Sequence, residues 1–289
     1  MNVIKLPDFN TVAAGTTATL RIPKWNLTLC RLVLKLGVTA AAGATFTKAL
    51  ITDVRVKIGS RVVWSVLTSA GKSGGTLLDQ LNKYRGLFDD ATHLSIDFTD
   101  RDFLTNVARE VGGYDMSKLP DELYLEVAVS GAAVGPTLIA YGMFTPPQGD
   151  SEDPTQAVQK LLTVPFSYAS GGRFNLPFEP RQAIIKRIYI AYTGADWTAT
   201  ANGNLSAIEV KKNGLTIVGE LADVDARFMQ SEYRKVPQSK MHVVDFCFDN
   251  NISGAVKTAD AQSLEILATF AAADSGAMMV EVLDAPYNL

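Results

Sequence analysis

Residues 53–66 read DVRVKIGSRVVWSV and residues 208–218 read IEVKKNGLTIV, and this pair of segments decides the fold. Each segment alternates apolar and polar side chains, turns at Gly59 or Gly214, and resumes as a second apolar strand. Two strands joined through Gly or Asn-Gly are typical of a β-hairpin. Because the same hairpin occurs in each half, the chain is expected to contain an internal repeat.

The strands that precede the two hairpins also repeat in order. Residues 20–23 (LRIP) and 174–177 (FNLP) are predicted strands closed by proline, which has no N–H to donate to a neighbouring strand. Residues 32–37 (LVLKLG) and 188–194 (IYIAYTG) are predicted strands closed by glycine. Both halves therefore enter the hairpin through matching strands.

Helical spacing follows each hairpin. In residues 76–85 four large apolar side chains share one face, and Gly86 ends the predicted helix. These side chains are Leu77, Leu78, Leu81 and Tyr84. The second half predicts a helix that buries Leu221, Val224 and Phe228, with acidic residues early and basic residues late, as the helix dipole favours.

Strands resume at matching positions after the helices, so the order strand, strand, hairpin, helix, strand, strand, strand occurs twice. The matched pairs are 93–98 with 242–248, 123–129 with 264–270, and 137–144 with 277–283. His93 and His242 begin the first of these pairs and are interpreted as equivalent positions of the repeat. One additional helix, over 102–111, is predicted in the first half only.

A proline-rich acidic segment separates the two repeats. Residues 146–154, PPQGDSEDP, are typical of a solvated linker, and a short helix is predicted over 155–162. The chain is therefore divided into a first domain, 1–148, with a short N-terminal arm, a linker, 149–163, and a second domain, 164–289.

Many short strands with turn signals predict an all-β sandwich or barrel. Leu123, Leu125, Val127 and Val129 alternate with more polar neighbours, as expected for a strand with one buried face. Seven to eight strands per repeat fit a jelly roll, so the predicted fold is two tandem jelly-roll β-sandwiches with short helices inside each repeat, a double jelly roll.

Composition and charge limit the class of function. The 289 residues are 47% hydrophobic, and 27 basic against 30 acidic residues give a net charge of −3, which argues against nucleic acid as the main partner. The first ten residues carry only Lys5 and Asp8 as charged side chains, so neither a basic arm nor a signal peptide is expected. No stretch has the ~20 apolar residues of a membrane span.

The opening of the chain resembles a known family. Leu6-Pro7, the turn 10–15 (NTVAAG) and the strand 20–23 (LRIP) are similar to the start of corticovirus major coat proteins, and the duplicated sandwich covers nearly the whole chain. The chain thus resembles the double jelly-roll major capsid proteins of the PRD1-like viral lineage.

This resemblance implies an assembly function. The protein is expected to be the major capsid protein of an icosahedral bacterial virus, assembled in the host cytoplasm and located in the virion. Homotrimers would form pseudo-hexagonal blocks that tile the shell beside neighbouring capsomers. Minor capsid or vertex proteins and an internal membrane are further implied partners, without sequence-specific nucleic acid binding. The alternative is a β-sandwich receptor- or carbohydrate-binding protein such as a spike, vertex protein or lectin-like module.

Two motifs near residue 71 point towards an enzyme, and neither is complete. Gly71-Lys72-Ser73 ends a phosphate-binding loop, but Val66 stands where that loop requires a glycine. Residues 71–75, GKSGG, fit the G-x-S-x-G pattern of a serine nucleophile, which also needs a histidine base. His93 and His242 are the only histidines and their repeated position indicates an architectural role, so no catalytic residue and no enzyme activity are predicted.

No metal or cofactor site is predicted either. Asp97, Asp100 and Asp102 lie close together, and carboxylates bind Ca²⁺, so a structural calcium ion is the one open alternative. The simpler interpretation is a helix N-cap at Asp102 and solvated carboxylates in a turn. Cys30 and Cys247 lie in strand patterns and are expected to be buried free thiols. Packing is the expected role of the tryptophans, which are Trp25, Trp64 and Trp197.

Overall fold

The structure is a computed structural model, and it describes residues 1–40, 42–87, 90–104, 109–147, 157–178, 182–285 and 288. The first half contains β1 (Asn2–Lys5), β2 (Thr17–Ile22), β3 (Thr28–Val38), β4 (Ile51–Ile58), β5 (Arg61–Val66), α1 (Gly74–Tyr84), β6 (His93–Asp97), β7 (Tyr114–Asp115), β8 (Leu123–Val129) and β9 (Pro136–Thr145). The second contains β10 (Val158–Tyr168), β11 (Gly172–Asn175), β12 (Ile184–Tyr192), β13 (Leu205–Lys212), β14 (Leu215–Ala222), α2 (Asp223–Glu232), β15 (Met241–Asp245), β16 (Val256–Lys257), β17 (Leu264–Phe270) and β18 (Asp274–Asp284).

Each half folds into two antiparallel sheets with the strand order of a jelly roll. In the first half the orders are β1-β9-β3-β6, with β7 also on β3, and β2-β8-β4-β5. In the second half they are β10-β18-β12-β15, with β16 also on β12, and β11-β17-β13-β14. The two halves therefore have the same topology, strand for strand, and the predicted double jelly roll is confirmed.

The two sandwiches share one sheet. β5, at the edge of the first sandwich, pairs in parallel with β10, at the edge of the second, with Leu161 opposite Trp64. This contact joins one sheet of each sandwich into a continuous nine-stranded sheet that runs β15-β12-β18-β10-β5-β4-β8-β2, with β16 beside β12. The sandwiches consequently lie edge to edge, and residues of the second join the hydrophobic core of the first. There are seven of them, namely Val158, Leu161, Tyr189, Ala191, Met241, Val243 and Met279.

Alternation along the strands places the core as the sequence predicts. β8 and β17 each alternate buried and half-buried residues over their whole length. Leu123, Leu125, Val127 and Val129 are all buried, which confirms the predicted inner face of β8. A strand buried on one face in this way needs a second sheet to cover it, which is what the sandwich provides.

The repeat extends to one buried ion pair. In β3, Arg31 lies opposite Asp97 of β6, directly after a bulge. In β12, Arg187 lies opposite Asp245 of β15, again directly after a bulge. Both arginines form ion pairs with the aspartates they face, so the pair and the bulge belong to the repeated unit.

This register corrects the predicted equivalence of the two histidines. Because Asp97 corresponds to Asp245, His93 corresponds to Met241, and His242 lies one residue further along its strand. Side chains alternate between the two faces of a strand, so a shift by one residue changes the face. The side chain of His93 is 41% exposed, whereas that of His242 is 4% exposed.

Three further predictions differ from the structure. The helix predicted over 155–162 is wrong from residue 158 onward, where β10 begins, and residues 155–156 lie outside the described residues. For the same reason the predicted linker, 149–163, overlaps β10. The helix predicted over 102–111 is wrong at residues 102–104, which are not helical, and agrees at residues 109–110; residues 105–108 lie outside the described residues.

The buried face of the second helix is the third difference. Phe228, predicted to be buried, is 67% exposed, and Leu221 belongs to β14. The helix buries Asp223, Ala226, Arg227 and Gln230 instead. Small and polar side chains therefore face the sandwich, and apolar side chains face outward.

Candidate functional site at the junction of the two sandwiches

Helix α1 of the first sandwich covers the junction between the two sandwiches. Its last residue, Tyr84, is fully buried and donates a hydrogen bond from its hydroxyl to Asp245 Oδ2, at 3.2 Å. The Tyr84 carbonyl accepts a hydrogen bond from the Val236 N–H at 3.0 Å. Lys72 and Gln80 both donate to the carbonyl of Ser239. One face of α1 thus contacts strand and loop residues of the other half of the chain.

A cluster of six buried charged residues, here called the junction cluster, lies beside the end of α1. It contains three cations and three anions, namely Arg85, Lys186, Arg187, Asp100, Asp245 and Glu281. Arg85 and Asp100 come from the first sandwich, and the other four come from β12, β15 and β18 of the second. The charges balance, as burial of this many ions requires.

Asp100 is the centre of the junction cluster. Its carboxylate contacts Arg85 at 2.6 Å and Arg187 at 3.0 Å, and it also accepts a hydrogen bond from Lys186. Glu281 lies 2.8 Å from Lys186 and 3.1 Å from Arg187. Ion pairs between Asp100 and the two β12 cations connect the first sandwich to the second.

The ionisation of the cluster follows from these contacts. Burial by itself would raise the pKa of Asp100, but the charges of Arg187, Lys186 and Arg85 outweigh it and hold that pKa well below its usual range. Burial also opposes ionisation of Glu281, whose pKa is nevertheless lowered by Lys186 and Arg187. The cluster therefore holds charged carboxylates in a buried site.

The three aspartates considered as calcium ligands form ion pairs with basic side chains instead. Asp97 and Asp100 are buried rather than solvated, so the interpretation as solvated turn carboxylates is wrong for both. Asp97 pairs with Arg31, and Asp102 lies 3.1 Å from Lys235. Their oxygens face cations, and within the described part of the chain no group of three metal-ligating side chains is suited to hold an ion.

Ser73 is a helix cap. Its hydroxyl accepts a hydrogen bond from the N–H of Thr76 at 3.2 Å, and it lies 3.4 Å from the carbonyl oxygen of Lys48, to which it donates. His93 contacts Asp90, and His242 contacts Asp223 at 2.5 Å, so both imidazoles are engaged by other residues. The structure does not bring the three members of a serine catalytic triad together at Ser73.

The remaining predicted residues pack as expected. Cys30 and Cys247 are buried free thiols, which confirms the prediction, and burial raises the pKa of Cys247 to about 12. Trp25 packs edge-on against Phe144, and Trp64 is buried in the first core. The guanidinium group of Arg227 lies over the Trp197 ring, with its Cζ 4.1 Å from the ring centroid.

The outward face of α2 forms an exposed apolar patch, defined here by Phe228, Met229, Tyr233, Val236 and Phe248, which are all at least 37% exposed. Beneath the helix lies a cavity of about 140 Å³, lined mainly by apolar side chains that include Ala226 and Val218. Exposed apolar clusters of this kind mark interaction sites. The second sandwich therefore presents an apolar helix face where the first uses its helix to contact a neighbour.

The junction cluster has only a weak signature in the sequence. Lys186 and Arg187 interrupt the otherwise apolar strand 184–192, and Glu281 interrupts the otherwise apolar run 277–283. A charge inside a buried strand signals a buried partner. The partner Asp100, however, lies in a loop of the other half, and nothing local identifies it.

Family comparisons agree with this architecture. The family described as viral coat protein P2 N-terminal domain matches residues 3–145, and the family described as viral coat protein P2 C-terminal domain matches residues 158–286. No curated protein sequence matches the chain. Within the residues described, no helix has both the length and the apolar character to cross a membrane.

Solved capsid proteins share the fold at low sequence identity. The major capsid protein P2 from bacteriophage PM2 is 17% identical with a TM-score of 0.79, over 98% of this chain and 97% of that chain. The STIV MCP is 16% identical with a TM-score of 0.72, over 99% of this chain and 97% of that chain. The PBCV-1 virus capsid is 10% identical with a TM-score of 0.59, over 98% of this chain and 92% of that chain.

The two domain matches together span nearly the whole chain, in the order in which the two sandwiches occur. They support a coat protein over the alternative of a receptor- or carbohydrate-binding module. The chain therefore belongs to the viral coat protein P2 family, whose members are structural proteins of the virion capsid and not enzymes.

Proposed function

We propose that this coat protein assembles as a homotrimer, a pseudo-hexagonal block that tiles the icosahedral shell of a bacterial virus. The observation that carries the proposal is the edge-to-edge pair of sandwiches with identical topology. Three copies of such a chain supply six similar sandwiches, which fit a hexagonal lattice. The exposed apolar patch on α2 supplies surface that assembly would bury.

The proposal includes further partners and a division of the chain. Neighbouring capsomers, minor capsid or vertex proteins and an internal membrane would contact the trimer, and the genome would be packaged without sequence-specific contacts. The division into two jelly-roll domains falls between β9 and β10, whose bounds are 145 and 158. Limited proteolysis tests it, with cleavage expected between these strands.

Light scattering of the purified protein tests the oligomeric state. A homotrimer has a mass of about 93 kDa, three times the 31.1 kDa of the chain, and a mass of 31.1 kDa at all concentrations would refute the proposal. Electron microscopy of particles from infected bacterial cultures tests the lattice and the host, since the chain should be the dominant band of the purified particles.

A further inference from the structure

The contact between the sandwiches within one chain provides a template for the contact between chains. Leu161 of β10 lies opposite Trp64 of β5 in a parallel pair. Thr163 donates a hydrogen bond from its hydroxyl to the Ser65 carbonyl at 2.8 Å. The first sandwich therefore uses the outer edge of its β5 sheet to meet the β10 edge of the second.

The repeat identifies the equivalent edges that have no such partner. β14 corresponds to β5. Val218 of β14 faces Val210 of β13, and Trp64 of β5 faces Val56 of β4. Each of these two strand pairs also contains a bulge. β1 corresponds to β10. Val3 faces Met143 of β9, which in turn faces Arg31 of β3. In the same way Leu161 faces Glu281 of β18, which in turn faces Arg187 of β12. Val218 and Val3 are thus the counterparts of Trp64 and Leu161.

Both edges are open in the described residues. β14 pairs only with β13, and β1 pairs only with β9. Val3 is 62% exposed, and Leu215 and Ile217 of β14 are 75% and 41% exposed. An open strand edge with exposed apolar side chains is a template for pairing with another chain, and proteins that remain monomeric usually protect such edges.

We infer that β14 of one copy pairs in parallel with β1 of the next copy, so that the sheets continue from chain to chain. The inference rests on the proposed homotrimer and specifies its interface. Aligning Val3 with Val218 places Lys5 opposite Glu220, a cross-strand pair of opposite charge. Their side chains are 56% and 53% exposed. A head-to-tail contact of this kind closes into a ring when the rotation between copies permits.

Helix α2 belongs to the same contact. Tyr233 directly follows the end of α2, and its distance in sequence from the first residue of α2 equals that of Tyr84 from the first residue of α1. Tyr84 is fully buried against the second sandwich, whereas Tyr233 is 45% exposed. The next copy would cover Tyr233 and the rest of the apolar patch, as the second sandwich covers α1.

Disulfide trapping tests the pairing. Neighbouring strands lie about 4.8 Å apart, and a disulfide spans Cα atoms about 4.4–6.8 Å apart, so the double variant Val3→Cys/Val218→Cys should cross-link. Under oxidising conditions a non-reducing gel should show linked dimers and trimers, which dithiothreitol returns to monomers. Both single variants and the pair Val38→Cys/Val218→Cys serve as controls, since Val38 is 46% exposed but lies in β3. Native Cys30 and Cys247 are buried and do not compete.

The outcomes separate this inference from the homotrimer itself. If light scattering gives a trimer but the double variant Val3→Cys/Val218→Cys does not link chains, or links only within one chain, the strand pairing is refuted and the homotrimer stands. If the protein is a monomer at all concentrations, both are refuted.

A charge exchange provides a second measurement. Lys5→Glu and Glu220→Lys should each raise the dissociation constant by up to about fivefold per contact, and the double variant should restore it. If the two substitutions weakened association additively in the double variant, the register that places Lys5 opposite Glu220 would be contradicted.

Discussion

Replacement of Asp100 by Asn should destabilise the whole chain. Asp100 is fully buried and is the one carboxylate of the first sandwich in the junction cluster. It contacts Arg85, Lys186 and Arg187. Asn has nearly the same shape, so the substitution removes the charge and leaves the three cations of the cluster against its two other anions, Asp245 and Glu281. Arg85 keeps longer contacts to Asp102 and Asp97, at 3.5 and 3.9 Å.

The size of the effect follows from this imbalance. Removing one partner of a buried ion pair costs about 3–5 kcal/mol, because the remaining charge stays buried without compensation. The folded state of a protein is stable by only about 5–15 kcal/mol. Asp100→Asn should therefore lower Tm by at least roughly 6 °C, at about 2–4 °C per kcal/mol.

Urea unfolding followed by tryptophan fluorescence measures the loss. Trp64 lines the same small cavity as Arg85 and Glu281, so its emission reports on the junction. The matched control is Asp260→Asn, which removes an equally short ion pair to Lys212 from a side chain that is 72% exposed. The control should leave the midpoint of unfolding unchanged, because water screens exposed pairs.

A second substitution tests whether charge balance stabilises the junction cluster. Lys186→Met in the Asp100→Asn background restores equal numbers of cations and anions, so the double variant should be more stable than the sum of the two single losses predicts, by about 0.5–3 kcal/mol. If Asp100→Asn resembled Asp260→Asn, or if the two junction substitutions were additive, the cluster would not act as a balanced unit.

Three further predictions concern the cap, the cavity and pH. Ser73→Ala removes the cap of α1 and should cost about 0.5–2 kcal/mol in urea unfolding, with no effect on any hydrolytic assay; a change in hydrolysis would contradict the structural role. Ala226→Leu fills the cavity beneath α2, where Leu77 stands in α1, and should raise Tm, whereas a lower Tm would mean that the site cannot accept the larger side chain. Because the folded-state pKa values of Asp100 and Glu281 lie below those of the unfolded chain, their stabilisation is complete above about pH 5 and is lost as pH falls below about 4. Unfolding midpoints from pH 7 to pH 3 check this, and Asp100→Asn should show a shallower decline.

Most strands were predictable because their signals are local. The hairpins at Gly59 and Gly214 depend on alternation and turn residues, which neighbouring residues supply. β10 was not predictable in this way, since a helix was predicted where Val158 begins a strand. Pairing with β18 and β5 overrides the local preference, because β propensity depends on cross-strand neighbours.

The second helix shows why a helical period does not identify the buried face. Apolar side chains at Phe228 and Met229 point outward, and Arg227 points inward, where Asp223 lies 2.9 Å from its Nε. A hydrophobic stripe identifies the helix face that will be buried, but not the surface that covers it. In a protein that assembles, that surface can belong to another copy. The sequence alone does not distinguish the two.

By itself the sequence determined that the chain is all-β, that it repeats one jelly-roll unit and that Cys30 and Cys247 are buried, because alternation, turns and periodicity act between near neighbours. Only the tertiary structure decided that β5 meets β10 and that Asp100 neutralises Lys186 and Arg187. Those contacts join residues that are far apart in the chain, and a buried charge or an open strand edge acquires its partner only when the sandwiches pack.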